Sequence, residues 1–343
     1  MPSANTYSWN VGVQRQFGRD WIASATYIGS RVLHLYVNLP INEGVVVGPP
    51  SSSCAATAAP SVCSGTSNLQ ARRVLSLINP AQGALVGNMD IWDASGFSRY
   101  NGLLSSIQKR VSKGVTVNAN WTWSHCISVQ QGYDSKSDVT STNPYNPLFD
   151  RGNCDADRRH IINVTAVYQV PRVDFGNKIV KQAISDWQIS GIYQFRSGQP
   201  LTVRNGTDRA LTGVNQQRAD VILPDSVYTG NSGPGALYLN PKAFQPAPLG
   251  QLGNLGWNNL VGPTYWTLNL ALSRRFAITE RQGIELRADA FQITNSFVSS
   301  ITGAGIATSA AVPVFMNLNA AQFGLNNAAQ PTRKIQFALK YSF

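Results

Sequence analysis

Charge is what this 343-residue sequence has least of: Asp, Glu, Lys and Arg together make up 13% of it, about half the roughly 25% of an ordinary soluble chain. The little charge present leans positive, with 28 Lys+Arg against 17 Asp+Glu. The cations are scattered, as in Arg15, Arg31, Lys109, Arg110 and Lys334. A nucleic-acid surface needs them gathered in a stripe, so no nucleic-acid partner is expected. Long apolar runs are absent too. Nothing approaches the roughly 18 to 20 consecutive apolar residues of a membrane helix. The start, Met1-Pro-Ser-Ala-Asn5, lacks the charged-then-apolar pattern of a signal peptide.

Catalytic patterns are missing as well. There is no GxSxG, Walker or GxGxxG sequence, and the cysteines lack CxxC spacing. The three histidines, His34, His125 and His160, stand in separate segments without metal-ligand spacing. Asp150, Asp155 and Asp157 form an acidic group that calcium could use. Arg151, Arg158 and Arg159 lie among them and compete for the same oxygens, so salt bridging is the expectation. The chain reads as a non-enzyme with no metal and no cofactor. The four cysteines fall into two loop-closing pairs, Cys54 with Cys63 and Cys126 with Cys154. Candidate disulfides of this kind point to an oxidising compartment.

What is present is strict alternation. Tyr7, Trp9, Val11, Val13 and Phe17 take one face of residues 7–17, and Ser8, Asn10, Gly12, Gln14 and Gln16 the other. Successive strand side chains point to opposite faces, so this is a ribbon with one apolar and one polar side. The pattern recurs at 115–124, 162–170, 187–195, 266–272 and 335–343, and less cleanly at 21–29, 100–111 and 282–294. Nine strands are expected. In 282–294, Glu285, Arg287 and Asp289 share the polar face, where they are candidate lumen-lining charges. The phase slips afterwards towards Phe291 and Ile293, which predicts a bulge.

The connections alternate in length. Gly18-Arg19-Asp20, Ser112-Lys113-Gly114 and a short segment after Phe276 are tight, and 171–186 is intermediate. The segments 30–98, 125–158, 197–263 and 296–332 are long. In a meander, all short connections lie at one end and all long ones at the other, the asymmetry of outer-membrane barrels. The aromatics sort accordingly. Phe17, Trp21, Tyr168, Trp187, Phe276, Tyr341 and Phe343 sit near short turns, while Tyr7, Trp9, Trp121, Trp123, Tyr193 and Trp266 sit near long loops. Ala, Val, Leu and Ile fill the centres. Two aromatic bands around an aliphatic belt match interfacial girdles. The expected fold is all-β, a transmembrane antiparallel up-and-down barrel with short periplasmic turns and long extracellular loops.

The end of the chain, Arg333-Lys-Ile-Gln-Phe-Ala-Leu-Lys-Tyr-Ser-Phe343, resembles the terminal strand of TonB-dependent outer-membrane receptors. Phe337, Leu339, Tyr341 and Phe343 resemble the C-terminal signal read by the barrel-assembly machinery. Tyr7-Ser-Trp-Asn-Val-Gly-Val-Gln-Arg15, Tyr27-Ile-Gly-Ser-Arg31 and Tyr100-Asn-Gly-Leu-Leu-Ser-Ser-Ile-Gln-Lys-Arg110 are similar to segments of the Oar-like receptors. So are Trp121-Thr-Trp-Ser124, Asp150-Arg-Gly-Asn-Cys-Asp-Ala-Asp-Arg-Arg-His160 and Gly253-Asn-Leu-Gly256. The resemblance implies a barrel of about 22 strands, an N-terminal plug and a periplasmic TonB-contacting segment.

On that reading residues 1–343 are a partial barrel, the last nine or so strands of a larger receptor for an unidentified nutrient. Signal peptide, plug and upstream strands are then missing, and TonB is a partner only through the missing region. Outer-membrane lipid and the barrel-assembly machinery are the other expected partners. Two rivals are an outer-membrane adhesion or scaffold barrel without transport and a secreted soluble β-sandwich. Fractionated source cells, blotted with an antibody against residues 225–250, should show an outer-membrane band much larger than this chain. A soluble band at the chain's own size would favour the sandwich.

Overall fold

A computed structural model describes the chain except residues 1, 113, 130–139, 172–184, 215–216, 280–281, 298–315 and 327–332. The expected connection at 171–186 and much of the last long segment therefore lie outside the described residues. Among the described residues nine long strands form the fold: β1 (Asn5–Phe17), β2 (Trp21–Pro40), β3 (Asp90–Ser112), β4 (Val115–Ser128), β5 (His160–Gln169), β6 (Trp187–Arg196), β7 (Tyr265–Ala277), β8 (Gly283–Phe291) and β9 (Lys334–Ser342). They pair antiparallel in chain order within one sheet, and the two-residue strand Gly152–Asn153 attaches to β4. Among the described residues β1 and β9 are the sheet's two edges.

Register turns alternation into two surfaces. Directly opposed residues share a face, so single rows can be followed from strand to strand. Gln14, Ser24, Ser106, Asn120, Asn163, Gln194 and Thr267 form one such row across β1 to β7. The adjacent row on the opposite face is Val13, Ala25, Ser105, Trp121, Ile162, Phe195 and Trp266. The polar row is knitted by side-chain bonds, including Ser24 to Ser106 at 2.7 Å and Gln194 Nε2 to Asn163 Oδ1 at 3.4 Å.

Among the described residues no protein layer covers the apolar face. Val13 is 69% exposed, Phe337 80% and Leu339 71%. Leaving a large aliphatic side chain in water forgoes roughly 1.5–3 kcal/mol, and Val11, Ile107, Leu272, Leu286 and Ile335 are exposed on the same face. A sandwich would lay a second sheet over this face. The described residues contain only two-residue ribbons besides the main sheet, so lipid is the medium that makes the face stable. No described helix is long and apolar enough to cross a membrane.

Three details depart from the alternation. β2 continues to Pro40 and β3 begins at Asp90, so the two ends of the expected 30–98 connection are strand. The period is scrambled there by register shifts at Leu33/Leu35 and Leu35/Val37, with His34 at φ 59°. The slip near Phe291 is not a bulge inside the strand, since β8 stops at Phe291. Gln292 turns at φ 49°, and the Ile293 N–H donates to the Leu268 carbonyl at 2.9 Å. That bond lies one residue out of the register set by Leu270 opposite Ala290. The long connections build the compact core. Leu201, Val203, Ala219, Val227, Leu239, Phe244, Leu255, Leu260, Met316 and Phe323 form one buried cluster, with Phe244 and Phe323 edge to face at 5.6 Å.

Placing a charge on the lipid face has a depth-dependent cost. Leu270→Arg, on the belt row with Gly191 and Ala290, should destabilise the intact protein by about 2–4 kcal/mol in denaturant unfolding from vesicles. Asn269→Arg, one residue along on the polar face, should cost far less. Equal losses would contradict the assignment of faces.

Candidate functional site

The polar face carries the sheet's concentrated charge at β7 to β9. Glu285 lies opposite both Arg275 and Lys340, and Asp289 opposite Ala271 and Gln336. Arg287 Nε donates to both Asp289 carboxylate oxygens at 2.9 Å. Arg287 and Asp289 also line a pocket of about 310 Å³ with Thr165, Ser190, Ile192 and Asn269. The three candidate lumen charges therefore stand together on the inward face, as a row of alternating sign rather than one acidic or basic patch. A row of this kind offers hydrogen-bond donors and acceptors along the strand axis without a strong net field.

Above the sheet, the loop layer is fastened by buried arginines. Arg218, 2% exposed, forms an ion pair with Asp150 and donates from Nε to the Leu255 carbonyl at 2.7 Å. Its guanidinium also lies 4.3 Å from the Phe149 ring centroid. Asp150 accepts from the Thr142 N–H at 2.8 Å and from the Ser141 hydroxyl at 3.1 Å. Asp150 was expected to bridge to its sequence neighbours, but its arginine comes from the β6–β7 connection. Asp157 does pair locally, with Arg159 at 3.7 Å, and accepts the Cys126 N–H at 2.7 Å. Asp155 accepts from Asn258 Nδ2 at 2.6 Å. The acidic group is thus spread over three different anchors.

Arg72 does the same for the β2–β3 connection. Fully buried, it donates to the carbonyls of Val45, Gly65 and Leu211 at 2.7, 2.7 and 3.0 Å. The Leu211 bond ties residues 41–89 to the β6–β7 connection. Burial lowers the Arg72 pKa, opposed by the Asp208 charge. Burial also pushes Arg204 down to about 10, opposed by the Asp155 charge and reinforced by Arg218. Burial likewise raises the Asp155 carboxyl, opposed by the Asn258 hydrogen bond and the Arg204 charge. Arg72 and Arg218 are buried struts of the loop layer.

Sequence reasoning missed Arg72, Arg204 and Arg218, which lie in segments without periodicity. A signal was nevertheless present, in the two glycine-bearing segments 150–160 and 253–256. A Cβ at Gly152 would meet the Trp257 carbonyl oxygen at 1.9 Å, and one at Gly253 the Arg218 carbonyl oxygen at 2.0 Å. These glycines mark where one loop's backbone closes on another's. The cysteines join within the same layer: Cys54 to Cys63, with Cα atoms 5.8 Å apart, and Cys126 to Cys154, 5.3 Å apart.

The histidines are not all separate. His34 and His125 line one cavity of about 650 Å³, while His160 stacks on Trp121 with centroids 6.0 Å apart. Among the described residues no three His, Cys, Asp or Glu side chains converge as a metal site. The signal candidates Phe337, Leu339 and Tyr341 share the outward face of β9, and Tyr341 stacks with Phe343 at 6.0 Å.

One polar face, one lipid face, tight turns at one end and a folded loop layer at the other define an integral outer-membrane β-barrel protein. The family model of the outer membrane beta barrel domain matches residues 1–336, and the chain belongs to that family. No curated protein matches the sequence. Among solved structures it is similar to the outer membrane transporter YddB from Escherichia coli, at 10% identity and TM-score 0.42, covering 99% of this chain and 32% of that one. It is also similar to the ferric-catecholate import receptor Fiu from E. coli K12, at 9% identity and TM-score 0.41, covering 98% and 28%. A third is the pyoverdine outer membrane receptor FpvA from Pseudomonas aeruginosa PAO1, at 8% and 0.42, covering 99% and 30%. The chain spans about a third of the length of these structures.

Removing one partner of a buried ion pair strands the other. Arg218→Met should therefore destabilise the loop layer by roughly 3–5 kcal/mol. Hydrogen exchange should accelerate across residues 197–264 and leave the β3–β4 amides unchanged. Asp150→Asn added to Arg218→Met should recover part of the loss, because the stranded charge is gone.

Proposed function

We propose that this chain forms the C-terminal barrel region of a TonB-dependent outer-membrane receptor that imports a nutrient. The observation that carries the reading is the folded loop layer over a polar, charge-bearing inner face. Loops fixed by buried arginines and disulfides present a defined surface to the outside, and the rows beneath offer a hydrated path inward. The resemblance of the terminal strand and of the ordered segments to Oar-like receptors supports the same reading. The backbone does too, because β1 and β9 each present an edge that hydrocarbon cannot satisfy. In the membrane those edges need strand partners, and a wide barrel around a plug would supply them.

On this mechanism no covalent chemistry occurs. The ligand docks on the loop layer and upper lumen, the plug rearranges under force transmitted through TonB, and the ligand passes along the inward face. Glu285, Arg287 and Asp289 contribute polar contacts to that path or to the plug.

The test is uptake by cells that carry the intact gene, compared with a deletion strain over a panel of labelled iron chelates, oligosaccharides and peptides. The expected result is accumulation of one class, lost in the deletion strain and abolished by a protonophore. Surface binding of a ligand with no energised accumulation would replace the transporter reading with that of a display scaffold.

A further inference from the structure

The 650 Å³ cavity that unites His34 and His125 opens on the wrong face to serve a transport path. Cross-strand register places it. Tyr7, Arg31, Arg99 and Ile127 form one row over β1 to β4, and Trp9, Gly29, Asn101 and His125 form the row beneath. Below that come Val11, Tyr27, Leu103 and Trp123. Tyr7, Trp9 and Trp123 belong to the outward aromatic band, so Arg31, Arg99 and His125 also point to lipid, at the loop end. At about 3.4 Å per residue, the arginine row stands roughly 14 Å beyond Trp123, where hydrocarbon gives way to headgroups.

The charge there is unbalanced. Arg31 and Arg99 are directly opposed, an arrangement of like charges that is destabilising by itself. Arg151 joins them in lining the cavity, where no described residue supplies a carboxylate; the remaining lining includes Leu33, Phe97, Ile127 and Asn101. Among the described residues none of these three arginines has a side-chain hydrogen bond or ion pair within the protein. Asp157, whose charge reaches His125, is occupied by the Cys126 N–H and Arg159. His34 sits at φ 59° on the register shift, and its buried Nδ1 has no partner among the described residues. His125 is fixed by a 2.9 Å bond between Nε2 and Asn153 Oδ1. Arginine forks match phosphate oxygens in geometry and charge.

We propose that this cavity binds the phosphate of a phosphorylated lipid headgroup in the outer leaflet. Arg31, Arg99 and Arg151 take the phosphate, His34 and His125 offer ring nitrogens at its margin, and Leu33, Phe97 and Ile127 meet the first carbons of the acyl region. The proposal rests on the outer-membrane placement and not on import, so it is read without any transported ligand.

The experiment is native mass spectrometry of the full-length protein extracted from outer membranes in mild detergent. The probes added back are bis-phosphorylated lipid A, dephosphorylated lipid A and inorganic phosphate. The expected result is one phosphorylated lipid retained per chain, with occupancy reduced at least about tenfold in Arg31→Gln/Arg99→Gln. Arg19→Gln, in a turn at the other end, should leave occupancy unchanged. Arg31→Lys/Arg99→Lys should restore part of the binding, and Arg151→Gln, outside the ladder, should weaken it even if the double variant fails to assemble. Equal retention of lipid by Arg151→Gln and by the double variant would overturn the proposal. So would equal binding of dephosphorylated lipid A, or binding of inorganic phosphate with no binding of phosphorylated lipid.

Discussion

Everything in this structure depends on one constraint: a backbone amide in hydrocarbon must find its partner within the protein. Antiparallel pairing of consecutive strands meets it with the least chain, and it fixes the side chains to two faces at a period of two. Once the amides are paired, the only freedom left is which chemistry goes to which face. Here Ser, Thr, Asn and Gln predominate on the inward face and Val, Leu, Trp and Phe on the outward one across the belt of β1 to β7. The resulting surface would be untenable in water and is stable in lipid.

The same constraint explains why the compact core lies outside the membrane. Within the sheet, lipid covers one face, so side chains need not bury one another. The connections at the long end have no lipid and must satisfy themselves. They do so with a small apolar cluster around Leu201, Phe244 and Phe323 and with buried arginines that satisfy loop carbonyls. Arg218 and Arg72 each gather backbone oxygens from segments far apart in sequence. Guanidinium suits that task because its planar donors reach several acceptors at once. The described loop residues are consequently held together as one packed layer.

The outward rim extends the argument. A charge on the lipid face is costly at the centre of the belt and nearly neutral at its edge. Arg31 and Arg99 stand two rows beyond Trp123, where such residues can be kept. Their shared row and the bulge at His34 turn a sheet surface into a recess with cationic walls. The sheet therefore carries two chemically different surfaces: a mixed-charge inner face and an outer recess whose described charged side chains are all arginines.

The sequence by itself determined the nine strands, their two faces, the girdles and the alternation of short and long connections. These follow from a period of two and from turn length, both local properties. It also marked the loop contacts indirectly, through Gly152 and Gly253, without saying what approached them. Only the tertiary structure decided that β2 and β3 project as a ribbon past Ser30, because register shifts erase the period there. Only the structure decided that Asp150 meets Arg218 rather than Arg151, or that His34 and His125 share a cavity. Those pairings join residues 68 to 91 positions apart, brought together by loop packing and strand register. No local pattern records contacts that arise only when separate connections fold against one another.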